Sequence, residues 1–275
     1  MASHQIGTLI RCKDIDERRI AYYQTIGLNC IQIAGVYEDW LAPTAEAQKA
    51  SDDLFALFRK YGIAVPSMFF SYPNQFEKGE FGLVPAASRT ERMLLSCRML
   101  NWGKRYGIRY FACHIGFLPE DKGECYQQFI ADLKLLVRFA AANDQIFMFE
   151  TGTETVAELK QMIADVDEPN VGINFDPANL LIYGKDDPAQ MVDELAPYIR
   201  VIHCKDANPP ANGEKMGKET VLGQGSTQFC TLLKRLIRNG FAGPLIIERE
   251  LPLGPEQEKD IAEAVKLLRS TIGDR

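Results

Sequence analysis

Four side chains that can bind metal ions or transfer protons stand at the ends of short apolar runs, and a polar loop follows each of them. They are Glu150, Asp176, His203 and Glu248. Short apolar runs of this kind are typical of buried strands, and the parallel strands of a barrel end at one common face. Side chains at the last inward positions of such strands converge. Three carboxylates and one imidazole that meet at one point make a site for a divalent metal ion.

The elements that must position these side chains follow a regular alternation of apolar runs and longer amphipathic stretches. We predict eight strands with helices between them, which implies an α/β fold, a closed (β/α)8 TIM barrel, with residues 1–275 in a single domain. An open doubly wound sheet is the alternative, but no GxGxxG follows the first strand. The strands are expected near residues 6–10, 29–34, 63–70, 108–114, 145–150, 170–175, 199–204 and 244–249.

Residues typical of helix ends support this division of the chain. Gly62, between an amphipathic stretch and an apolar residue, has the sequence context of a glycine that ends a helix in the left-handed conformation. Ser88 with Glu91, and Thr155 with Glu158, have the spacing of a capping box. We therefore expect helices to begin just after Ser88 and just after Thr155.

Two long segments follow predicted strands and are candidate lids over the barrel mouth, residues 71–88 and residues 208–225. The second contains Gly223-Gln224-Gly225. Its backbone amides could bind an anion, or the three residues could form a tight turn before the next helix.

The composition indicates an ordinary globular protein. The net charge of -6 and the pI of about 5.3 argue against nucleic acid or an anionic membrane as the main partner. The seven cysteines include no CxxC, so they suggest neither a disulfide framework nor a zinc ribbon, and a reducing cytoplasm fits best. We expect no membrane span and no signal peptide, since no apolar stretch is long enough and the first residues lack the charged and apolar regions.

Each of the four side chains has a simpler interpretation when it is taken alone. A carboxylate after a strand is often the N-cap of a helix, and a single His is more often a packed or surface residue than a ligand. Four such residues at four successive strand ends are harder to explain separately. The pattern therefore favours one shared metal site.

Five segments give the chain a resemblance to the xylose isomerase-like TIM barrel superfamily, in its sugar phosphate isomerase/epimerase family. They occur in the order found in that family, and the resemblance covers essentially the whole chain. The family includes tagatose and psicose 3-epimerases, hydroxypyruvate isomerase, and inosose isomerases and dehydratases. The matching segments are Phe149-Glu150-Thr151-Gly152, Asn174-Phe175-Asp176-Pro177-Ala178-Asn179, His203-Cys204-Lys205-Asp206, Leu222-Gly223-Gln224-Gly225 and Ile247-Glu248-Arg249-Glu250.

The resemblance implies that Glu150, Asp176, His203 and Glu248 bind one divalent ion, Mn²⁺ first, with Zn²⁺, Co²⁺ and Mg²⁺ as alternatives. The donor set agrees, since oxygen ligands with one nitrogen suit a borderline-hard ion. The resemblance also implies that Glu150 and Glu248 act as acid and base. One would remove the proton alpha to a carbonyl and the other would return one, through an enediolate that the ion stabilises.

Four further residues are candidates for binding the substrate: His114, Glu154, Asn179 and Lys205. His114 could contact substrate oxygens or simply pack in the barrel. Glu154 could be a second acid or only cap the following helix. Lys205 could bind a substrate carboxylate or phosphate, or form a salt bridge with Asp206 or Glu150.

Two positions depart from the pattern of some epimerases in this family. Asn179 stands where those enzymes have a substrate-binding His, and Pro209 stands where they have an Arg. These departures argue against a ketohexose 3-epimerase. A related isomerase or dehydratase stays open.

Four functions remain as hypotheses. The first is a metal-dependent isomerase or epimerase of a small sugar, keto-sugar or inosose, and the second is a dehydratase of a keto-polyol on the same site. The third, an endonuclease at abasic DNA sites, is disfavoured because those relatives hold three zinc ions with many histidines, whereas this acidic chain has only His4, His114 and His203. The fourth is a non-enzymatic ligand-binding barrel. The expected partner is a small polyol or keto-sugar, and a homo-oligomer is expected by analogy alone.

Overall fold

The computed structural model describes residues 4–73, 75 and 80–273, and they form a closed barrel of eight parallel strands. The predicted TIM barrel is confirmed. Around the barrel the strand order is β1-β10-β7-β6-β5-β4-β3-β2, and β8 pairs with β9 in a separate antiparallel hairpin. The strands are β1 (Ile6–Arg11), β2 (Cys30–Ala34), β3 (Ala64–Phe70), β4 (Tyr110–Cys113), β5 (Ile146–Glu150), β6 (Val171–Phe175), β7 (Ile199–Cys204), β8 (Asp206–Asn208), β9 (Lys218–Thr220) and β10 (Leu245–Ile247).

Helices connect the barrel strands and cover the outside of the barrel. Those in the described residues are α1 (Glu17–Ile26), α2 (Glu38–Leu41), α3 (Ala45–Lys60), α4 (Ala86–Arg105), α5 (Glu124–Ala142), α6 (Val156–Val166), α7 (Pro177–Ile182), α8 (Pro188–Leu195), α9 (Phe229–Arg238) and α10 (Pro255–Ile272). Among the described residues, no helix combines the length and the apolar character that a membrane crossing requires.

Two apolar clusters lie on the two faces of the barrel wall. The outer cluster packs strands against helices, and each large side chain that it buries fully contributes about 1.5–3 kcal/mol. The inner cluster fills the barrel with residues that include Met148, Val201 and Ile246. Because side chains alternate along a strand, these three put Glu150, His203 and Glu248 on the inward side. Cys204 belongs to the outer cluster, as alternation predicts.

The predicted helix ends are confirmed in two places and wrong in one. Gly62 has a φ of 65°, in the left-handed region, after the last turn of α3. Thr155 caps α6 in a complete capping box with Glu158. Ser88, however, is not a cap, because α4 already begins at Ala86 after Pro85. The preceding chain is fixed there by the buried arginines of α4, which donate to the carbonyls of Gly82 and Val84.

The first candidate lid lies partly outside the described residues, which omit 74 and 76–79 of the segment 71–88. Its later part is anchored, since the amides of Leu83 and Val84 donate to the Ile115 carbonyl. A Cβ on Gly82, which has a φ of 72°, would come within 2.1 Å of that carbonyl oxygen. Glycine is therefore required at this contact, and movement of the segment stays a prediction.

The second candidate lid, residues 208–225, is held by hydrogen bonds to the carboxylate of Asp206. The amides of Gly223 and Gly225 donate to Asp206 Oδ2, at 2.9 and 3.0 Å. Thr227 donates to Asp206 Oδ1 through its amide and its hydroxyl. These glycine amides do bind an anion, but it is the side chain of Asp206 within the same chain. The segment also contains β9, which pairs with β8 in a hairpin that the sequence did not predict because each strand has only three residues.

Candidate metal centre

The four predicted ligands lie together at the carboxyl ends of β5, β6, β7 and β10. Glu150 is the last residue of β5, Asp176 follows β6, His203 is the penultimate residue of β7, and Glu248 follows β10. Each offers a ligand atom, and these four atoms lie within 4.8 Å of one another. The side chain of Glu248 is 12% exposed, whereas the other three are buried. The cluster therefore opens to the barrel mouth on the Glu248 side.

The four side chains lie close enough together to hold one ion between them. His203 Nδ1 lies 2.9 Å from Glu150 Oε1, 2.9 Å from Glu248 Oε2 and 3.9 Å from Asp176 Oδ2. Among the described residues, neither Nδ1 nor Asp176 Oδ2 forms a hydrogen bond. Buried polar atoms without partners are costly. A divalent cation between these atoms would satisfy both, and the residues could hold one.

Asp176 caps a helix and contributes to the cluster at once. Its Oδ1 accepts a hydrogen bond of 2.9 Å from the amide of Asn179 in the first turn of α7, so it is the N-cap. Its Oδ2 lies in the cluster. The backbone of Asp176 exchanges two hydrogen bonds with the hydroxyl of Thr151. The simpler interpretation, a helix cap, is therefore true and does not compete with a ligand role.

Two inward amides that the sequence analysis missed hold the ligands. Asn174 donates to Glu150 Oε2, and Gln32 Oε1 lies 2.6 Å from His203 Nε2. Both amides are fully buried. The available signal was a single polar residue inside an apolar strand, as in Cys30-Ile31-Gln32-Ile33-Ala34.

Burial and charge act against each other in the cluster. Burial raises the pKa of Glu150 and, more strongly, that of Asp176. Burial also opposes the charged forms of His203 and Glu248. For His203 the carboxylates of Glu150 and Glu248 outweigh it and raise the pKa, and for Glu248 the cations of Lys205 and His203 outweigh it and lower the pKa. Three carboxylates in so small a volume require positive charge.

Lys205 supplies part of that charge. Its simpler interpretation, a salt bridge with Asp206 or Glu150, has the right kind of contact but the wrong partners. Its Nζ lies 2.5 Å from Glu250 Oε1, 3.4 Å from Glu248 Oε2 and 3.7 Å from Asp176 Oδ2. It also donates to Asn179 Oδ1 at 3.3 Å. The Lys205 side chain is 2% exposed. Burial opposes its charge, but these carboxylates outweigh burial and raise its pKa.

His114, which is half-buried, and Glu154, which is buried, are polar groups that the sequence analysis singled out. Among the described residues, His114 Nδ1 and both carboxylate oxygens of Glu154 have no hydrogen-bond partner. Burial lowers the pKa of His114 to about 3 and raises that of Glu154 to about 8. Glu154 does not cap the following helix, because Thr155 does. Contact of either residue with a substrate stays a prediction.

The closed barrel and the cluster at its carboxyl-terminal face define a (β/α)8 protein with a candidate divalent-metal site. The profile of the xylose isomerase-like TIM barrel family matches residues 20–271. The chain therefore belongs to this family. The solved structure of a xylose isomerase domain protein from Planctomyces limnophilus is 30% identical to it, with a TM-score of 0.88 over 98% of each chain.

Two further similarities concern enzymes of known activity. An inosose dehydratase from Clostridium botulinum is 30% identical over 112 residues, which are 36% of this chain and 37% of that protein. The match thus spans little more than a third of the relative. A D-psicose 3-epimerase, solved in the presence of D-fructose, has a TM-score of 0.73 and 14% identity, over 98% of this chain and 99% of that one. At this identity the likeness shows the fold alone.

Proposed function

We propose that this protein is a divalent-metal-dependent isomerase or epimerase of a small sugar, keto-sugar or inosose. The observation that carries the proposal is the convergence of four ligand-type atoms within 4.8 Å at four strand ends. Membership of a family whose matched relatives include sugar-converting enzymes supports it. The substrate is a small molecule, and the protein acts in the cytoplasm.

Glu150, Asp176, His203 and Glu248 would hold the ion, and Mn²⁺ fits their mostly oxygen donors best, ahead of Zn²⁺, Co²⁺ or Mg²⁺. When bound, the ion would polarise the substrate carbonyl and stabilise negative charge on oxygen. The crowding of His203 Nδ1 and three carboxylates, with no hydrogen-bond partner for Nδ1 or Asp176 Oδ2 among the described residues, supports the presence of a cation.

Glu150 and Glu248 are proposed to move the proton next to the carbonyl. They approach the cluster from β5 and β10, with β6 and β7 between them in the barrel wall. One carboxylate would remove the proton from the carbon alpha to the carbonyl, and the other would return one. Asn179 lies between Glu150 and Lys205. Its side-chain Nδ2 donates to Glu150 Oε1 at 3.4 Å, and its Oδ1 accepts from Lys205 Nζ. Asn179, Lys205, His114 and Glu154 would bind the substrate.

Exchange of the alpha proton with solvent tests this proposal. Ketoses, inososes and keto-acids are incubated in deuterium oxide with protein that has been stripped of metal and then loaded with Mn²⁺. We expect one equivalent of metal by mass spectrometry and metal-dependent deuterium incorporation into at least one substrate. Stoichiometric metal without exchange in any substrate would contradict the isomerase proposal, and absence of metal binding would remove its basis.

Dehydration of a keto-polyol is the second candidate, and the position of Lys205 favours it. Loss of water needs a base at the alpha carbon and a donor to the hydroxyl that leaves the beta carbon. Lys205 Nζ lies 3.4 Å from Glu248 Oε2, so a cationic donor stands beside a carboxylate base. The partial match to an inosose dehydratase points the same way.

Product analysis separates the two candidates. A dehydratase releases one water per substrate and gives an absorbing enone or dione, whereas an isomerase gives only isomers of the same mass. If elimination occurs, Lys205→Met should abolish it and leave alpha-proton exchange measurable. Detection of stereoisomers alone would exclude dehydration.

A further inference from the structure

Gln32 makes a hydrogen bond across the inside of the barrel to one of the predicted metal ligands. It lies in the middle of β2, and its side chain is fully buried. Its Oε1 is 2.6 Å from His203 Nε2 on β7. In the barrel wall, β1 and β10 stand between β2 and β7, so the contact joins strands that are not neighbours.

This bond determines which nitrogen of His203 carries hydrogen. A carbonyl-type oxygen only accepts, so Gln32 Oε1 requires an N–H at Nε2. The other nitrogen, Nδ1, then has a free electron pair and lies 2.9 Å from both Glu150 Oε1 and Glu248 Oε2. A metal ligand needs such a free pair, and the bond made by the opposite nitrogen fixes the ring orientation.

A neutral amide suits this position better than a carboxylate. The cluster already contains three carboxylates, and a fourth buried negative charge on β2 would add repulsion that one divalent ion and Lys205 would have to offset. Gln32 Nε2 has no hydrogen-bond partner among the described residues. Burying Nε2 without a partner is costly. We therefore expect that Gln32 occupies this position because of the contact between its Oε1 and His203.

We propose that Gln32 is a positioning residue that keeps hydrogen on Nε2 of His203 and thereby directs Nδ1 to the metal ion. This inference rests on the proposed metal site and adds a specific residue to it. Gln32 itself acts only through His203.

Metal affinity tests the inference with three variants. Gln32→Leu removes the acceptor, and Gln32→Glu keeps an acceptor oxygen. Ser67→Ala is the matched control, because Ser67 is the register partner of Gln32 on β3 and its buried Oγ has no partner among the described residues. By titration calorimetry with Mn²⁺, we expect Kd to rise about 10–100-fold in Gln32→Leu. Gln32→Glu keeps the acceptor oxygen but adds a buried negative charge, so its Kd should lie between those of Gln32→Leu and the wild type, and Ser67→Ala should match the wild type.

Imidazole nitrogen shifts of the wild-type protein give a test that needs no variant. The chain has only three histidines, so ¹⁵N-histidine labelling resolves His203 in the zinc-loaded protein. We expect hydrogen on Nε2 and zinc on Nδ1. Zinc on Nε2, or an unchanged Kd in Gln32→Leu, would overturn the inference and leave the metal site intact. If the wild type binds neither Mn²⁺ nor Zn²⁺, the proposed metal site itself fails, and the role of Gln32 fails with it.

Discussion

Two histidines face the mouth of the barrel, and their surroundings are opposite. His203, on β7, lies among the carboxylates of Glu150 and Glu248, which raise its pKa in spite of burial. His114, just after β4, packs against the rings of Phe69 and Phe81, at centroid distances of 5.7 and 4.9 Å. Burial there lowers its pKa to about 3. In the absence of a metal ion, the surroundings of His203 thus favour the protonated imidazole, whereas those of His114 favour the neutral one.

The difference divides the mouth into a charged side, formed by residues at the ends of β5, β6, β7 and β10, and an aromatic side, formed by residues at and after the ends of β3 and β4. On the charged side, contacts are short and directional. On the aromatic side, rings follow one another from Phe69, beside His203, through His114 and Phe81 to the exposed Phe117. Loss of one charge should therefore disturb the first side severely, whereas the second should tolerate substitution.

The largest effect is expected for Glu248→Gln on the charged side. The substitution keeps the shape of the side chain but removes a proposed proton carrier and one negative ligand. Alpha-proton exchange should fall by about 10²–10⁴-fold, and metal affinity should fall with it. Glu250→Gln is the matched control, since Glu250 also contacts Lys205 but is 63% exposed. Equal losses in both variants would show that charge near Lys205, rather than Glu248 itself, is what matters.

Lys205→Met should give the largest loss of stability. Lys205 is the buried cation beside Asp176, Glu248 and Glu250, and its removal leaves buried carboxylates without a partner. We expect the free energy of unfolding, measured in urea without metal, to fall by about 3–5 kcal/mol. Lys218→Met is the comparison, because Lys218 pairs with Glu214 at the surface, and exposed pairs contribute about 0–1 kcal/mol. A Lys205 variant as stable as the Lys218 variant would contradict the division of the mouth.

His114 on the aromatic side should make the stability of the protein depend on pH. The pKa of His114 is about 3 in the folded protein against 6.5 for an unperturbed His. Between these values the unfolded chain binds a proton that the folded protein does not. The stability that neutral His114 contributes is therefore complete above pH 6.5. It is lost as the pH falls toward 3, and the free energy of unfolding falls by up to about 1.4 kcal/mol per pH unit.

His114→Phe should remove this slope while keeping a ring in the same position. The measurement is the free energy of unfolding of both proteins from pH 7 down to the acid limit, with the difference taken at each pH. In the wild type, imidazole NMR signals of His114 should not titrate between pH 8 and 5. An inflection near 6.5 would mean that His114 is hydrated and that the aromatic side is not dry.

The sequence predicted those parts of the site that depend on local pattern. Alternation along a strand predicted which residues share a face, and the strand ends predicted that Glu150, Asp176, His203 and Glu248 lie at one end of the barrel. Which face points inward was known only from the inner apolar cluster of the structure. The bond between Gln32 and His203 was not predictable, because it depends on how β2 and β7 are placed across the closed barrel. The start of α4 was also missed, because contacts of its arginines with the preceding loop outweigh the capping pattern at Ser88.

The smallest effect is expected at the outer end of the aromatic side. Phe117 is 54% exposed, and its ring contacts Phe81 and lies under the ammonium of Lys185. Phe117→Ala should change the free energy of unfolding by no more than about 0.5 kcal/mol and should leave the Kd for Mn²⁺ unchanged. If the aromatic side receives the apolar face of a substrate, KM rises while kcat is kept, because uniform binding is lost. A fall in kcat with an unchanged KM would instead place Phe117 in the reacting geometry, and the two sides of the mouth would no longer have separate roles.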